Sequence, residues 1–404
     1  MRHVIIGAGG AGTAAAETIR ANSEDEVVVI NREKTLPYSP AALPYYIEGT
    51  VKGNELFIWN WHFVRSNGID YIMGREVVKV DTEAKKVILD NGEEIDYDRL
   101  LISSGAKPNI IPQFRRENVI GVRTLEDAER LRKVRGRAII IGAGPVAVET
   151  AIALKRLGAD PVIICRSRIL RRLFDEDISD IIRDVMILNG VKVLFEKSID
   201  LVGDPVEGVK APCGVIYGDI VVAAIGVRPN LSFLDGRIAL GDRGGILTDE
   251  RMRTNVEDVY AAGDCAETRD LVTGRYGIFA IWPLAREQGR VAGYNMLGVE
   301  KRYRGSINMN IITIFDRVFA SIGTFIGARK EVWHGSHIAK LFIENGRLNG
   351  AQLVGKYALQ YAGAVEYLVR TRRPVKIDSM SDTKSFVREV WEQVGAEVSQ
   401  RTPS

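Results

Sequence analysis

The stretch HVIIGAGGAGTAAAETIR, residues 3–20, decides the first part of the fold. Its apolar start predicts a short strand and its alanine-rich end predicts a helix. Gly7, Gly9 and Gly12 have the spacing G-x-G-x-x-G at the turn between them. The first glycine permits the turn, the second lets a diphosphate approach the backbone, and the third lets helix and strand pack closely. Because a helix N-terminus favours phosphate, the stretch predicts a dinucleotide-binding unit.

A second stretch, RAIIIGAGPVAVETAIALKRLG at residues 137–158, repeats this pattern. Gly142, Gly144 and Ala147 hold its three positions, again between an apolar run and a predicted helix. One such motif is a weak signal, whereas two in the same strand–helix context are a strong one. Two nucleotide sites are therefore predicted; the alternative is one site and one degenerate repeat.

The strand that follows each loop should end beside a ribose, where an acidic residue is usual. After the first loop, EVVVINREK has Asn31 at that position, followed by Arg32 and Glu33. After the second, PVIICRSRILRR has Cys165 there and then four arginines. An acid would repel a 2′-phosphate and arginine would bind it, so NADP(H) is favoured over NAD(H). The alternative is a solvated basic helix start. The four arginines are Arg166, Arg168, Arg171 and Arg172.

Composition excludes several classes of protein. The chain has 404 residues, enough for two or three domains, and a net charge of +3, too small to predict nucleic-acid binding. Its three cysteines and four histidines show no metal-ligand spacing, so no metal site is predicted. An export signal and a membrane span are likewise not predicted, and a cytoplasmic location is expected.

Four further motifs stand in a fixed order along the chain. They are LLISSGAKP (100–108), VVAAIGVRPN (221–230), TNVEDVYAAGDCAE (254–267) and GIFAIWPLAREQGRVAGYNMLG (277–298). With the two glycine loops, they make the chain resemble the FAD-dependent pyridine nucleotide–disulfide oxidoreductases. The resemblance implies that FAD binds at the first loop, that NAD(P) binds at the second, and that Asp264 meets a flavin ribityl hydroxyl.

The resemblance also implies the domain layout and an α/β fold class. Two Rossmann-like dinucleotide-binding domains are expected, with the NAD(P) domain (110–233) inserted into the FAD domain (1–109 and 234–303). Residues 304–404 are expected to form a C-terminal α+β interface domain, which in relatives forms the dimer, so a homodimer is expected. In that domain, alternation in SINMNIITIF (306–315) predicts a strand, and Asn345-Gly346 predicts a hairpin turn. Residues 357–373 and 383–397 are predicted to be amphipathic helices.

The loop PYSPAALPYY, residues 37–46, departs from the family pattern. Relatives with NCGLPYY carry a redox cysteine here, whereas this chain has Ala41. Thiol–disulfide exchange needs a thiolate, so disulfide reductase, persulfide reductase and cysteine-sulfenate oxidase chemistry are rejected. Electrons would then leave the flavin directly for a protein carrier or for oxygen.

Three residues are predicted to be catalytic: Glu149, Trp282 and Tyr45. Trp282 stands six residues before Gln288, as in ferredoxin reductases of aromatic-oxygenase systems, where the tryptophan lies beside the flavin; the alternative is a buried packing residue. Glu149 matches the family's glutamate near the nicotinamide, and without a lysine partner its pKa should be raised. Tyr45 or Tyr46 is expected to be its hydrogen-bond partner.

The leading hypothesis is an FAD-dependent NAD(P)H oxidoreductase that exchanges electrons with a small iron–sulfur protein of the ferredoxin or rubredoxin type. Basic segments at 115–116, 130–137 and 371–374 are candidates for steering that partner. The alternatives are an NAD(P)H oxidase that yields mainly peroxide and a flavoprotein subunit of a larger redox complex. Further residues predicted to bind cofactor are Ser39, Ala41, Ser103, Gly105 and Gly226.

Overall fold

The computed structural model describes residues 1–355 and 357–375. The helix predicted at residues 383–397 lies outside the described residues, whereas the helix predicted at 357–373 lies within them. Within the described part, seven sheets and eight α-helices account for the regular structure.

The first 109 residues contain three α-helices and eight strands. In chain order these elements are β1 (Arg2–Ile6), α1 (Gly10–Asn22), β2 (Glu26–Asn31), α2 (Leu43–Glu48), α3 (Trp61–Ser66), β3 (Ile69–Met73), β4 (Val77–Asp81), β5 (Lys86–Leu89), β6 (Glu94–Asp96), β7 (Arg99–Ile102) and β8 (Ala106–Pro108). The quoted stretch 3–20 thus folds as strand, turn and helix, as predicted.

Residues 110–233 repeat the arrangement around the second glycine loop. Their elements are β9 (Val119–Ile120), α4 (Leu125–Leu131), β10 (Arg137–Ile141), α5 (Pro145–Arg156), β11 (Asp160–Cys165), α6 (Glu176–Leu188), β12 (Lys192–Phe195), β13 (Asp200–Val202), β14 (Gly208–Ala211), β15 (Gly214–Tyr217), β16 (Ile220–Ala223) and β17 (Val227–Pro229). Five of these strands form a parallel sheet in the order β12-β11-β10-β16-β9.

Residues 234–303 return to the first sheet. They contain β18 (Ile246–Leu247), β19 (Val259–Ala261), β20 (Ala266–Arg269), β21 (Tyr276–Gly277) and α7 (Trp282–Met296). Strand β19 completes a parallel sheet in the order β19-β7-β1-β2-β3. The outgoing and returning crossovers meet, because β8 and β17 pair antiparallel. Both parallel sheets carry continuous apolar strands, as expected of sheets covered on both faces.

Helix α7 lies very close to α1. A Cβ at Gly289 would come within 2.1 Å of the carbonyl oxygen of Ala11, and one at Gly293 within 2.9 Å of that of Ala15. The two glycines therefore allow the returning segment to pack directly against the helix of the first glycine loop. This contact places the start of α7 beside the first glycine loop.

The last described segment is an antiparallel sheet covered by a helix. It contains β22 (Met309–Ile314), β23 (Arg317–Gly323), β24 (Ala328–His334), β25 (His337–Glu344), β26 (Arg347–Val354) and α8 (Tyr357–Thr371), with the sheet order β22-β23-β26-β25-β24. The predicted hairpin turn is confirmed, since Glu344 pairs with Arg347 and both Asn345 and Gly346 have positive φ. The fold class is thus α/β with two Rossmann-like units and a C-terminal α+β unit. The boundaries at 109, 233 and 303 stay a prediction.

Candidate functional site

Two adjoining cavities run from the first glycine loop to the start of α7. The larger, of about 220 Å³, is lined by parts of α1, the loop at 40–44, α5 and the 262–264 turn. The second, of about 140 Å³, runs past the end of β2. They share Gly9, Pro40, Ser103, Gly105 and Arg123. Together they form one elongated cleft, the shape that an extended dinucleotide requires.

The first glycine loop forms a cradle with room for phosphate. Gly7 has φ +97°, and its carbonyl oxygen accepts a hydrogen bond from the Ser103 hydroxyl at 3.0 Å. A Cβ at Gly9 would meet nothing within 4 Å, so the backbone is open on this side. No side chain caps the N-terminus of α1, which leaves its N–H groups directed at the cleft. These features fit the diphosphate of the FAD that the resemblance implies.

The end of β2 reaches the second cavity, as predicted. Asn31, Arg32 and Glu33 all line it. The Tyr38 hydroxyl donates to Glu33 at 2.7 Å and accepts the backbone N–H of Leu125 at 2.9 Å. Burial raises the pKa of the Glu33 carboxyl above its usual value. This chain of contacts fixes the end of β2 against the start of α4.

Asp264 also lies in the cleft, and it has a partner that sequence reasoning missed. Arg123, in the connection between β9 and α4, donates to the Asp264 carboxylate at 2.8 Å. The side chain of Asp264 is only 13 % exposed. Arg123 lines both cavities. The pair therefore presents a guanidinium and a carboxylate at the centre of the cleft, suited to a phosphate and to a hydroxyl respectively.

Trp282 lines the larger cavity at the first turn of α7. Its ring lies against the helix of the first glycine loop, so that a Cβ at Gly10 would come within 3.0 Å of the tryptophan Cε3. Ala41 and Pro40 also line this cavity. The tryptophan and the position of the missing cysteine therefore face one space, as the resemblance implies.

None of the three cysteines lines either cavity. Cys165 and Cys265 are buried, and burial raises the pKa of each thiol to about 11. Cys213 is exposed on the turn between β14 and β15. Among the described residues, no cluster of histidine, cysteine or acidic side chains can hold a metal ion either. The cleft therefore lacks a thiol relay.

Glu149 projects from α5 into the larger cavity. Burial raises the pKa of its carboxyl to about 7, the direction predicted from the missing lysine. The tyrosine partner was wrongly predicted. The Tyr46 hydroxyl donates to Glu129 at 3.0 Å, and its ring stacks under the Arg132 guanidinium. Tyr45, predicted to be catalytic, is 48 % exposed and lines neither cavity, because α2 turns its side chain outward.

Glu149→Gln should stabilise the protein at high pH. A carboxyl whose folded pKa is raised penalises the native state once pH exceeds the unfolded value near 4.5, and the penalty is complete above about 7. The gain from glutamine should therefore grow from near zero below pH 4 to about 3 kcal/mol at pH 8. Denaturant unfolding across this pH range measures it. The exposed Glu93→Gln is the control, and an equal pH trend in both variants would contradict the burial of Glu149.

The second glycine loop has the same geometry as the first. Gly142 has φ +133°, and a Cβ there would come within 2.1 Å of the Ala224 carbonyl oxygen, while Gly144 is open. The N-terminus of α5 has no side-chain cap. The backbone N–H of Leu170 donates to the Ala143 carbonyl at 2.8 Å, which ties the basic segment to this loop. Arg166 is exposed, and Arg168 lies 3.8 Å from Glu176.

Eight predicted cofactor residues lie outside both cavities: Gly12, Ser39, Gly142, Gly144, Ala147, Arg166, Arg168 and Gly226. Ser39 donates its backbone N–H to the Leu56 carbonyl, and Ala147 is fully buried on the inner face of α5. Gly226, with φ +102°, makes the turn into the returning crossover. Pro40 and Val146, the neighbours of Ser39 and Ala147, line the larger cavity.

Comparison with known proteins agrees with this geometry. Residues 1–289 match the family described as pyridine nucleotide-disulphide oxidoreductase. An NADH oxidase of Methanocaldococcus jannaschii is 32 % identical over 392 residues, which is 88 % of each chain. Subunit epsilon of an NADH-dependent phenylglyoxylate dehydrogenase of Aromatoleum evansii is 28 % identical over 97 % of each chain. No helix in the described part of the chain is both long and apolar enough to cross a membrane.

A solved structure shares the whole architecture. NADH:rubredoxin oxidoreductase from Clostridium acetobutylicum superposes with a TM-score of 0.76 at 25 % identity, and the match covers 96 % of this chain and 99 % of that one. The cleft is therefore part of an architecture shared with this rubredoxin oxidoreductase.

Proposed function

Because the chain belongs to the pyridine nucleotide-disulphide oxidoreductase family and is an FAD-dependent NAD(P)H oxidoreductase, we propose that it exchanges electrons with a small iron–sulfur protein of the ferredoxin or rubredoxin type. The observation that carries the proposal is the pairing of Ala41 and Trp282 in one cavity that no cysteine lines. The cavity has no cysteine thiol that could pass electrons on, and the Trp282 ring forms part of its wall. The similarity to a rubredoxin reductase supports the same acceptor class.

Each residue of the cleft has a separate role in this proposal. When bound, FAD supplies a ring that accepts a hydride and can release electrons one at a time. Arg123 and the open N-terminus of α1 would hold its diphosphate, and Asp264 would accept from a ribityl hydroxyl. Glu149, with a pKa near neutrality, would hold or release a proton where the nicotinamide enters. Trp282 would exclude water from the ring.

We further propose that NADPH is preferred over NADH. Cys165 ends β11 without a carboxylate, and Arg166 is exposed directly after it. A guanidinium at this position would pair with a 2′-phosphate. The opposing feature is Glu176, whose carboxylate lies 3.8 Å from Arg168 and would compete for it.

Other predictions from the sequence also enter as proposals. A homodimer formed through residues 304–404 and the domain boundaries rest on the resemblance and stay predictions, as does the cytoplasmic location expected from the sequence. Light scattering on the purified protein would test the dimer directly.

Anaerobic stopped-flow kinetics test the acceptor. The flavoprotein would be reduced with NADPH or NADH and then mixed with ferredoxin, with rubredoxin or with air-saturated buffer. We expect reoxidation by an iron–sulfur protein to be at least about tenfold faster than by oxygen, a difference of about 1.4 kcal/mol in activation free energy. Faster reoxidation by oxygen, with peroxide as product, would contradict the proposal. The flavin absorbance reports both half-reactions.

Two other functions are each favoured by one comparison. The similarity to an NADH oxidase favours a peroxide-forming oxidase, and rapid oxygen consumption without a protein carrier would select it. The end-to-end similarity to subunit epsilon favours a flavoprotein subunit of a larger complex. Slow hydride transfer in the isolated chain, restored by copurifying subunits, would select that function.

A further inference from the structure

We infer that Tyr71 is a positioning residue for the flavin dinucleotide, because it fixes the amide of Asn31 in the one orientation that offers its carbonyl oxygen to a ribose hydroxyl. The inference rests on the proposed function, since it assumes that the first glycine loop binds FAD. Tyr71 lies on β3, the strand next to β2, and lines neither cavity.

The hydrogen bonds around Asn31 leave one arrangement of protons. The Asn31 amide nitrogen lies 2.8 Å from the Tyr71 hydroxyl and 3.2 Å from the Thr35 carbonyl oxygen. The Tyr71 hydroxyl donates its single proton to the same Thr35 carbonyl at 2.9 Å. The hydroxyl can then only accept from Asn31. Both acceptors therefore require the NH₂ side of the amide, and the carbonyl oxygen Oδ1 must point away from them.

That oxygen remains available to a ligand. Its described contact is a long one, with the backbone N–H of Glu33 at 3.4 Å, and Asn31 lines the second cavity. A ribose hydroxyl is a donor, and an aspartate or glutamate at this position would accept from it with either oxygen. An asparagine can do so only if its amide is turned the right way. A flipped amide would present N–H groups to the ribose hydroxyls and set its carbonyl oxygen against the Thr35 carbonyl oxygen, so that two acceptors would face each other.

The tyrosine is itself held rigidly. Tyr71 pairs in register with Val29 and stands two residues before Met73, the partner of Asn31. Trp59 and Trp61 both meet its ring edge-on, at 6.2 and 6.3 Å between centroids. The hydroxyl therefore has little freedom to leave the amide, which is what a positioning role requires.

The test is the dissociation constant of FAD for the full-length chain, freed of flavin and then titrated. Tyr71→Phe should raise the Kd about three- to tenfold, the effect expected for one lost neutral hydrogen bond. Asn31→Ala should raise it by about tenfold. In the Asn31→Ala background, Tyr71→Phe should have no further effect, because there is no amide left to orient. Tyr260→Phe is the control, since its buried hydroxyl donates to the Asn295 backbone away from the cavities.

Each outcome has a distinct meaning. If the wild-type chain does not bind FAD, the proposed function fails. If it binds FAD and Tyr71→Phe binds equally well, the positioning role of Tyr71 is wrong. An undiminished effect of Tyr71→Phe in the Asn31→Ala background would equally overturn it, because the tyrosine would then act on the cleft by another route. Thermal unfolding of the flavin-free variants separates either result from a loss of fold.

Discussion

Gly12→Ala should leave a chain that neither folds normally nor retains flavin. An added Cβ would stand 1.9 Å from the carbonyl oxygen of Gly7 and 2.8 Å from the Ser103 hydroxyl. Neither can retreat, because Ser103 donates to that carbonyl and the Gly7 N–H donates to Ile30. Overpacking against fixed backbone costs about 3 kcal/mol or more. Flavin absorbance of the purified protein and thermal unfolding would measure the loss.

Gly9→Ala is the matched control in the same loop. A Cβ there would meet nothing within 4 Å, and Gly9 has an ordinary φ of −78°. The variant should fold with a normal melting temperature, yet its methyl group would stand where the backbone is open to a diphosphate. We therefore expect about tenfold weaker FAD binding without a loss of stability. Normal stability of Gly12→Ala would show that strand and helix can separate, and would contradict the close packing of this loop.

The sequence predicted the local features of this molecule well. A strand, a glycine turn and a helix follow from short-range physics, since φ values, capping and apolar runs involve residues that are neighbours in the chain. The two loops at Gly7 and Gly142 and the hairpin at Asn345 are of this kind. The raised pKa of Glu149 was also predictable, because the resemblance placed this carboxyl in the site and residues 37–49 offer no lysine to pair with it.

Contacts between distant segments could not be predicted in this way. Arg123 and Asp264 are 141 residues apart, and no periodicity relates them. The one signal for Arg123 was its position just before Thr124, whose capping box begins α4 and so fixes the chain there. Tyr45 was expected to enter the site as a hydrogen-bond partner of Glu149, but the short helix α2 turns it to solvent. A helix rotates successive side chains by about 100°, so a prediction without the exact helix start misassigns their faces.

Lys340→Met should destabilise the protein by about 3 kcal/mol through the contact between the C-terminal sheet and the start of α6. Lys340 is one of the most buried charged residues described, at 1 % exposure. Its ammonium lies 2.6 Å from Asp177, 3.2 Å from Asp175 and 3.6 Å from Glu331. Methionine keeps the apolar stem but removes the charge. Three carboxylates would then face one another, with Arg329 still paired to Asp175 and Glu331.

The stability lost in Lys340→Met should depend on pH, because it depends on the charge of Asp175. Burial acts to raise the pKa of Asp175, but hydrogen bonds from Gln352 and Lys340 outweigh it and hold the pKa below its usual value. A lowered carboxyl pKa contributes stability above the unfolded value of 3.8, and that contribution is lost as pH falls through the folded value. The difference in unfolding free energy between wild type and Lys340→Met should thus be full at pH 7 and shrink below about pH 4.

The control for Lys340→Met is Lys86→Met, which removes an exposed lysine paired with Glu94 and should cost less than about 1 kcal/mol. Denaturant unfolding of both variants at several pH values makes the comparison. Equal losses would mean that water reaches the Lys340 cluster and screens it like any surface pair.

A larger loss of stability in Lys340→Met, with the predicted pH trend, should also affect nucleotide binding. Asp175 directly follows the segment with Arg166 and Arg168, and Phe174 packs edge-on against Phe319 of the C-terminal sheet. A detached sheet would release that segment, so the KM for NADPH should rise in Lys340→Met and stay unchanged in Lys86→Met.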